Sequence, residues 1–299
     1  CLPDEKAVSL DTGRRYVYMC DTRLREGNVP RVTVQMSTES KEKAMDESMF
    51  IVDNLLNKRG RTLTETQHMI VRERISEEKE KTALYINLAV GVMAQWSDRV
   101  DASQNLRGGV RNLILQLYET MERDYGKDLV RMALGFLTFS VKGVSDVDME
   151  DLLSMCEDVL DAVFQYHRSE IRRVPSHVWL RLKVALGDLI VEGEYGCIQF
   201  YHRLLKEIAE EWLKHEKQRI HRLLAIYFGN LELLHPIRLE MLNLSSTDHT
   251  RENRKLATQA WSLDGLNVFD KDSVINVRRC TEASYHMLAC GMYEEAEKE

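Results

Sequence analysis

Residues 175–213 read P-S-H-V-W-L-R-L-K-V-A-L-G-D-L-I-V-E-G-E-Y-G-C-I-Q-F-Y-H-R-L-L-K-E-I-A-E-E-W-L. Ser176 directly after a proline is a typical helix start, and Gly187 is a typical helix end. Between them the apolar residues recur at a spacing that suits a buried helix. The apolar positions are Val178, Leu180, Leu182 and Leu186.

Two short apolar runs follow this helix. Residues 189–191 and 197–200 flank a glycine-containing turn at 192–196, which predicts a β-hairpin. His202 stands where the second strand gives way to another helix. That helix is indicated by apolar residues at helical spacing, namely Leu204, Leu205, Ile208, Ala209, Trp212 and Leu213.

Helix, small hairpin and helix form the second half of a winged helix, and a matching first half precedes them. Residues 127–139 predict an apolar helix, and Ser145 with Asp148 three residues later predicts the start of another. Residues 157–173 predict a helix inserted between the two halves, with the apolar face Val159, Leu160, Val163, Phe164 and Tyr166.

Three stretches of this chain resemble parts of the STAND-class NTPases. Residues 123–145 resemble the entry into that family's winged-helix domain, residues 196–207 its wing strand with a following F-x-H motif, and residues 50–67 the helical segment after its ATPase core. Within this NACHT and NB-ARC superfamily, the likeness is to the nephrocystin-like and telomerase-associated-protein-like NACHT proteins. It covers residues 36–213.

The resemblance implies a domain organisation. Residues 1–36 are expected to be the end of an α/β NTPase core, 37–126 a helical subdomain, 127–216 a winged helix with an inserted helix, and 217–299 a helical linker with the start of a helical-repeat region. The predicted fold class is therefore mainly α, with a short β remnant at the N-terminus. Because the sequence starts at Cys1 without a methionine, we expect it to be a piece of a longer protein.

The resemblance also implies one site residue. In the family, the histidine at the position of His202 reaches the β-phosphate of bound ADP and holds the closed state, at a helix N-terminus that favours anions. The alternative is a histidine that packs within its own subdomain. The family's proline against adenine has no counterpart in residues 81–85, K-T-A-L-Y.

Composition limits the function classes. The 299 residues are 44% hydrophobic and 30% charged, which is ordinary for a globular protein, and four prolines favour helices. A net charge of −7 disfavours binding to nucleic acid, and no apolar run approaches the length of a membrane span. The six cysteines lack C-x-x-C spacing, which disfavours a zinc site and predicts a reducing compartment, hence a cytoplasmic location.

The N-terminal third is predicted to change from strand to helix. Residues 15–19 and 29–36 predict two strands, either of the α/β core or of a simple hairpin. Helices follow from a stripe at 45–56, from a capping box of Thr64 with Gln67 before Met69, Ile70 and Val71, and from Ser76 onward. The last helix of this group has the inward face Leu113, Ile114, Leu117, Tyr118 and Met121.

Beyond the winged helix, three more helices are predicted. They cover residues 219–228, 254–263 and 273–291, with a leucine-rich link at 230–250. The ending of the chain predicts a helix, a turn at Gly291 and the start of another helix, which is consistent with one unit of a repeat array.

The sequence lacks the motifs of a complete NTPase. No glycine-rich loop is followed by Lys and Ser/Thr, so phosphate and Mg²⁺ have no recognisable site. We predict no catalytic residue, no metal site and no cofactor in this chain, while ADP or ATP with Mg²⁺ is expected in a longer parent protein. The acidic group Asp146, Asp148, Glu150 and Asp151 is interpreted as helix N-terminal acids, Cys197 as a buried thiol, and His215 with His221 as surface residues.

Two functions remain open at this stage. One is the regulatory arm of a signal-transducing NTPase that clamps a nucleotide and relays its state to downstream repeats. The other is a non-catalytic scaffold that binds protein partners in a large ciliary or cytoskeletal assembly. A DNA-binding winged helix is disfavoured, because Glu192 and Glu194 in the wing would face the phosphates.

Overall fold

The computed structural model describes residues 41–77, 83–96, 105–165, 173–193, 196–231, 259–260, 262 and 274–298, with side chains from residue 45 onward. Helices make up 73% of these residues, and the described strands form a two-stranded sheet. The predicted mainly α fold class is therefore confirmed. The predicted strands at 15–19 and 29–36 lie outside the described residues.

The described helices are numbered here in chain order. They are α1 Lys41–Lys58, α2 Glu65–Glu77, α3 Ala83–Met93, α4 Val110–Tyr125, α5 Lys127–Phe139, α6 Asp146–Ser154, α7 Glu157–Val163, α8 Ser176–Leu186, α9 Arg203–Trp212, α10 Lys217–Gly229, α11 Val277–Cys290 and α12 Tyr293–Lys298. A short 3₁₀ turn, Gly187–Leu189, leads from α8 into strand β1, Ile190–Glu192, and strand β2 is Ile198–Phe200.

The chain divides after Asp53 into two units. Of the first unit, the structure describes only residues 41–53, which belong to α1. Met45, Met49 and Val52 are buried, at the helical spacing that the sequence predicted for this stripe.

The second unit begins with three helices whose local signals are readable in the sequence. The predicted capping box starts α2: the backbone N–H of Thr64 donates to the Gln67 side chain at 3.0 Å, and the Gln67 N–H donates to the Thr64 hydroxyl at 3.3 Å. In α4, each of the five residues predicted to face inward is buried. These predictions are confirmed.

Helix α5 is the central element of this unit. All ten residues from Leu129 to Phe139 other than Arg131 are buried. The helix packs against α4, α6, α7, α9, α10 and β2. A helix that is apolar on nearly all sides needs partners on all sides. The observed bounds of α5 and α8 coincide with those that the sequence predicted.

The hairpin is antiparallel, with Ile190 opposite Phe200 and Glu192 opposite Ile198. Val144, between α5 and α6, forms an isolated antiparallel bridge to Ile198 and so extends the hairpin by one short step. The predicted hairpin is confirmed, displaced by one residue at the first strand.

Towards the C-terminus, α10 and α11 share the most extensive contact between two described helices. Helix α11 ends at Gly291 in the left-handed conformation, and α12 begins two residues later. The predicted order of helix, glycine turn and helix is confirmed.

One predicted feature of α2 is wrong. Ser76 does not begin a helix, because α2 continues to Glu77 and the Ser76 hydroxyl donates to the carbonyl of Glu73 at 2.6 Å. Met69 is 65% exposed, since the buried residues of this helix are Gln67, Val71 and Ile75. The three buried residues are four positions apart and so lie on one face of the helix, and Met69 lies outside that face.

Three further predictions need correction. The inserted helix is shorter than residues 157–173, because α7 ends at Val163, and residues 166–172 lie outside the described part. Leu180 is 56% exposed, since α8 buries the i, i+3, i+7 row that starts at Trp179. Within the predicted helix 254–263, the described residues are not helical, and Ser262 pairs with Ile275 in an antiparallel bridge.

None of the described helices combines the length and apolarity that crossing a bilayer requires.

Candidate functional site

His202 caps the helix that follows the hairpin. Its Nδ1 accepts a hydrogen bond from the backbone N–H of Leu204 at 3.1 Å, at the start of α9. An accepting Nδ1 carries no hydrogen, so the neutral imidazole carries its hydrogen on Nε2. The His202 side chain is exposed. The residue therefore offers an N–H donor to the surroundings while it stabilises the helix start.

A cleft of about 410 Å³ lies beside this junction. Tyr201, the neighbour of His202, is one of its lining residues, whereas His202 itself is not. The other walls come from α3, α4 and the end of α8 with its 3₁₀ turn. They include Asn87, Gly91, Gln95, Leu117, Asp124, Tyr125 and the residues from Val184 to Leu189.

The cleft separates the helical segment α2–α4 from the hairpin and its flanking helices. At its rim the Arg59 guanidinium donates to the Asp188 carboxylate at 2.7 Å, and both side chains are accessible to solvent. Carbonyl ends of helices α3, α4 and α8 line the cavity, and such ends favour positive charge. Arg59 is placed where that charge is favourable.

A second set of contacts joins the same two parts on the side of α9. The hydroxyl of Tyr118, in α4, donates to the backbone carbonyl of Leu205 at 3.0 Å, and its ring lies 5.3 Å from the ring of Trp212. Burial raises the pKa of Tyr118 far above its usual range, so the hydroxyl keeps its proton. Arg111 and Glu211 form an ion pair beside it, exposed to solvent.

A buried polar cluster lies between α5, α10 and α11. The Glu282 carboxylate is fully buried and accepts hydrogen bonds from the backbone N–H groups of Val141 and Lys142, at 3.0 and 2.7 Å. It also lies 2.9 Å from Nε2 of His286. Nδ1 of His286 lies 2.7 Å from Nδ1 of His221.

His221 is surrounded by rings and by few polar atoms. Phe139 and Tyr285 lie 5.0 and 5.8 Å from its ring centroid. Its Nε2 is buried and has no hydrogen-bond partner among the described residues. Burial first, and the neighbouring His286 second, lower the pKa of His221 to about 4. The imidazole is therefore neutral near pH 7.

A second buried network fixes the start of α6. The Asp148 carboxylate accepts hydrogen bonds from Ser145, from the Tyr227 hydroxyl at 2.8 Å and from Arg278 at 2.6 Å. Burial alone would raise the pKa of Asp148, but the Arg278 guanidinium and the hydrogen bonds of Ser145 lower it below its usual value. Arg278 also donates to the carbonyl of Gly143 at 3.2 Å.

The other acids of this group hold neighbouring helices. Asp146 accepts from the Trp179 indole at 2.7 Å and from Lys183 at 2.8 Å, and Asp151 accepts from Arg173. Burial is the first cause that raises the pKa of Asp151, and its Arg173 partner opposes that shift. Asp146 thus joins α6 to α8, and Asp151 joins α6 to the segment that precedes α8. No metal-ligand group of three occurs within the described ranges.

The residues singled out in the sequence lie in different parts of the structure. His202 lies on the surface near the cleft, Cys197 is buried as predicted, and the prediction that His221 lies on the surface is wrong, because only 1% of it is exposed. Helical periodicity contained that signal, since His221 shares a face with the apolar residues at 225 and 228. The contact between Glu282 and His286 also had a signal in the sequence, because residues four apart lie on the same face of a helix.

The chain is similar to NACHT domain- and WD repeat-containing proteins, which supports the resemblance to NACHT proteins seen in the sequence. It is 30% identical to the mouse NACHT domain- and WD repeat-containing protein 1 over 199 residues, which is 62% of this chain and 12% of that protein. The human protein of the same name is 30% identical over 200 residues, with 62% of this chain and 12% of that protein covered.

The human NACHT and WD repeat domain-containing protein 2 is 26% identical over 263 residues, which is 79% of this chain and 15% of that protein. The chain thus spans about an eighth to a seventh of the length of these curated relatives. No protein-family model matches the chain. No solved structure matches it either.

Proposed function

We propose that this chain is the regulatory arm of a NACHT-type NTPase, in which it clamps the nucleotide state and relays it to C-terminal repeats. In this proposal residues 37–126 form the helical subdomain, and residues 127–216 form the winged helix. The order α5, Val144 bridge, α6, α8, β1 and β2, with Val144 paired to Ile198, supports that assignment. The relationship to NACHT-domain proteins supports the class.

The observation that carries the proposal is the geometry of His202. Its Nδ1 is used by the helix that it caps, and its Nε2–H is free to meet a ligand at a helix N-terminus. A helix N-terminus and an imidazole N–H both favour a phosphate oxygen. The phosphate loop and Mg²⁺ site would come from another part of a longer protein. ADP or ATP is thus the proposed ligand of the parent, and this chain supplies one contact.

The arm acts in this proposal by a shift of population. A nucleotide that contacts both the core and His202 binds only the closed arrangement, and so favours it. The downstream part would feel this change through α10, which follows residue 216 directly, and through α11, which packs on α10. The names of the relatives include WD repeats, and for this chain we propose that repeats of that kind, or helical ones, receive the signal and bind protein partners.

Two substitutions separate the roles of His202. His202→Asn keeps a side-chain acceptor at the cap, because asparagine is a favourable N-cap residue, but it removes the Nε2 donor. His202→Ala removes both. In a longer protein that includes the nucleotide-binding core, we expect ADP to dissociate faster from both variants, by about tenfold for the loss of one charge-assisted hydrogen bond.

The 299-residue chain provides the control for folding. We expect His202→Ala to lower its melting temperature and His202→Asn to leave it nearly unchanged. Bound nucleotide is measured by chromatography of the denatured protein, and the release rate with a fluorescent ADP analogue. Equal ADP release from the unmodified protein and His202→Asn would remove the proposed contact.

A further inference from the structure

Helix α11 is attached to the winged-helix region through buried charge rather than through apolar packing alone. Glu282 reaches the turn between α5 and α6, where it accepts the N–H groups of Val141 and Lys142. The same turn is held from another side, since Lys206 of α9 donates to the carbonyl of Ser140 at 3.3 Å. The attachment of α11 therefore depends on the charge state of a few buried groups.

The two imidazoles of this cluster limit the number of protons that it holds. Because both oxygens of Glu282 act as acceptors, the facing Nε2 of His286 carries a hydrogen. The two Nδ1 atoms of His286 and His221 are 2.7 Å apart, so exactly one hydrogen fits between them. If both rings became imidazolium, two N–H groups would point at each other.

The surroundings offer little compensation for a second positive charge. From its own helix, Lys217 faces His221 and disfavours that charge, while Glu210 of α9 favours it but pairs with Lys217 at 2.7 Å. From α5 comes the Phe139 ring and from α11 the Tyr285 ring. Arg278, one turn before Glu282 in α11, interacts electrostatically with Glu282 and is itself positive.

We propose that Glu282, His286 and His221 form a proton-sensitive latch, which holds α11 on α10 and on the α5–α6 turn while His221 is neutral and releases α11 when both imidazoles are protonated. The released histidines gain water as a partner for every N–H, including the Nε2 of His221 that is buried without a partner within the described residues. Acidification is the trigger, and no other reactant is needed.

Local opening of α11 is the direct test. Amide hydrogen exchange of the 299-residue chain is followed by mass spectrometry at pH 7.5 and 5.0, with correction for the intrinsic pH dependence of exchange. With a pKa of about 4 in place and 6.5 when released, the open fraction of Val277–Cys290 is expected to rise roughly 25- to 30-fold. Helix α4 serves as the internal reference and is expected to stay protected.

A matched pair of variants assigns the effect to the latch. His221→Asn places an amide near the position of Nδ1, keeps a hydrogen bond to His286 and does not titrate, so the pH response of α11 should be lost. His215→Asn changes an exposed histidine two residues before α10 and should respond as the unmodified chain does.

Two outcomes overturn the latch. One is an open fraction of α11 that stays constant between the two pH values, or that rises equally in His221→Asn. The other needs no variant: histidine ¹⁵N chemical shifts in the unmodified chain that show both His221 and His286 charged while the α11 amides remain protected.

Discussion

Gly143 is the residue with the tightest steric constraint around the hairpin. Its φ is +84°, a conformation that L side chains rarely adopt, and a Cβ placed there would lie 2.6 Å from the carbonyl oxygen of Ile198. That oxygen accepts the N–H of Val144 at 3.3 Å, and the Ile198 N–H donates back at 2.8 Å. The bridge that extends the hairpin therefore requires glycine at 143.

Gly143→Ala is expected to lower the free energy of unfolding by about 2 kcal/mol, because it adds left-handed strain to a clash with backbone. The measurement is urea unfolding followed by circular dichroism. Gly91→Ala is the control: that residue lies inside α3, where the nearest atom to an added Cβ is a Leu117 methyl at 3.7 Å. Alanine there should leave stability equal or raise it. Equal destabilisation by both changes would contradict this account.

Single-residue roles are predictable from sequence where the partner is close along the chain. His202 caps a helix through the N–H of Leu204, only two residues away, so its position at a helix start could be predicted. His221 contacts His286, which is 65 residues away, and no local pattern contains that partner. Its burial was readable from helical periodicity, but the identity of the group facing it was not.

At the scale of elements, the N-termini of the helices differ in the number of hydrogen bonds and ion pairs that their side chains make. Helix α6 begins with a complete capping box, in which Ser145 and Asp148 satisfy each other's backbone N–H groups. Asp148 carries two further buried partners, Tyr227 and Arg278. Helix α8 begins at Ser176 without a side-chain cap. Ser176, Ser145 and Asp148 are therefore expected to contribute to the free energy of unfolding in increasing order.

We expect Ser145→Ala to lower the free energy of unfolding by about 1 kcal/mol, which is typical for a lost N-cap. Asp148→Ala should cost about 3–5 kcal/mol, because it leaves the Arg278 charge without its buried partner. Ser176→Ala should be neutral. Urea unfolding of the three variants gives the order, and a neutral Asp148→Ala would show that Arg278 finds another partner or water.

Whole helices were predictable where the sequence contains both a periodic apolar face and a stop signal. α8 and α11 satisfy this, with Gly187 and Gly291 directly after their last residues. Prediction was wrong for Ser76, where a serine that resembles a cap lies in the last turn of a helix instead. A local hydrogen bond to the carbonyl three residues earlier is equally available to serine, and packing of the neighbouring turns decides between the two.

At the scale of the whole second unit, helices α2–α4 and the hairpin with its flanking helices are joined by contacts of unequal strength. Arg59–Asp188 and Arg111–Glu211 are ion pairs exposed to solvent, which contribute little to stability. The Tyr118 hydroxyl is buried and donates to a backbone carbonyl of α9, and its ring packs near Trp212. The buried tyrosine, rather than the ion pairs, is expected to hold the two parts together.

Tyr118→Phe tests this expectation, because it keeps the ring contact with Trp212 and removes only the hydrogen bond to Leu205. We expect a loss of about 1 kcal/mol in the free energy of unfolding, the usual net contribution of such a bond. Arg111→Ala should produce no measurable change, since salt and water already screen the pair. Urea unfolding at low and high salt separates the two: a larger effect of Arg111→Ala at low salt would show that charge, and not the buried hydroxyl, joins the parts.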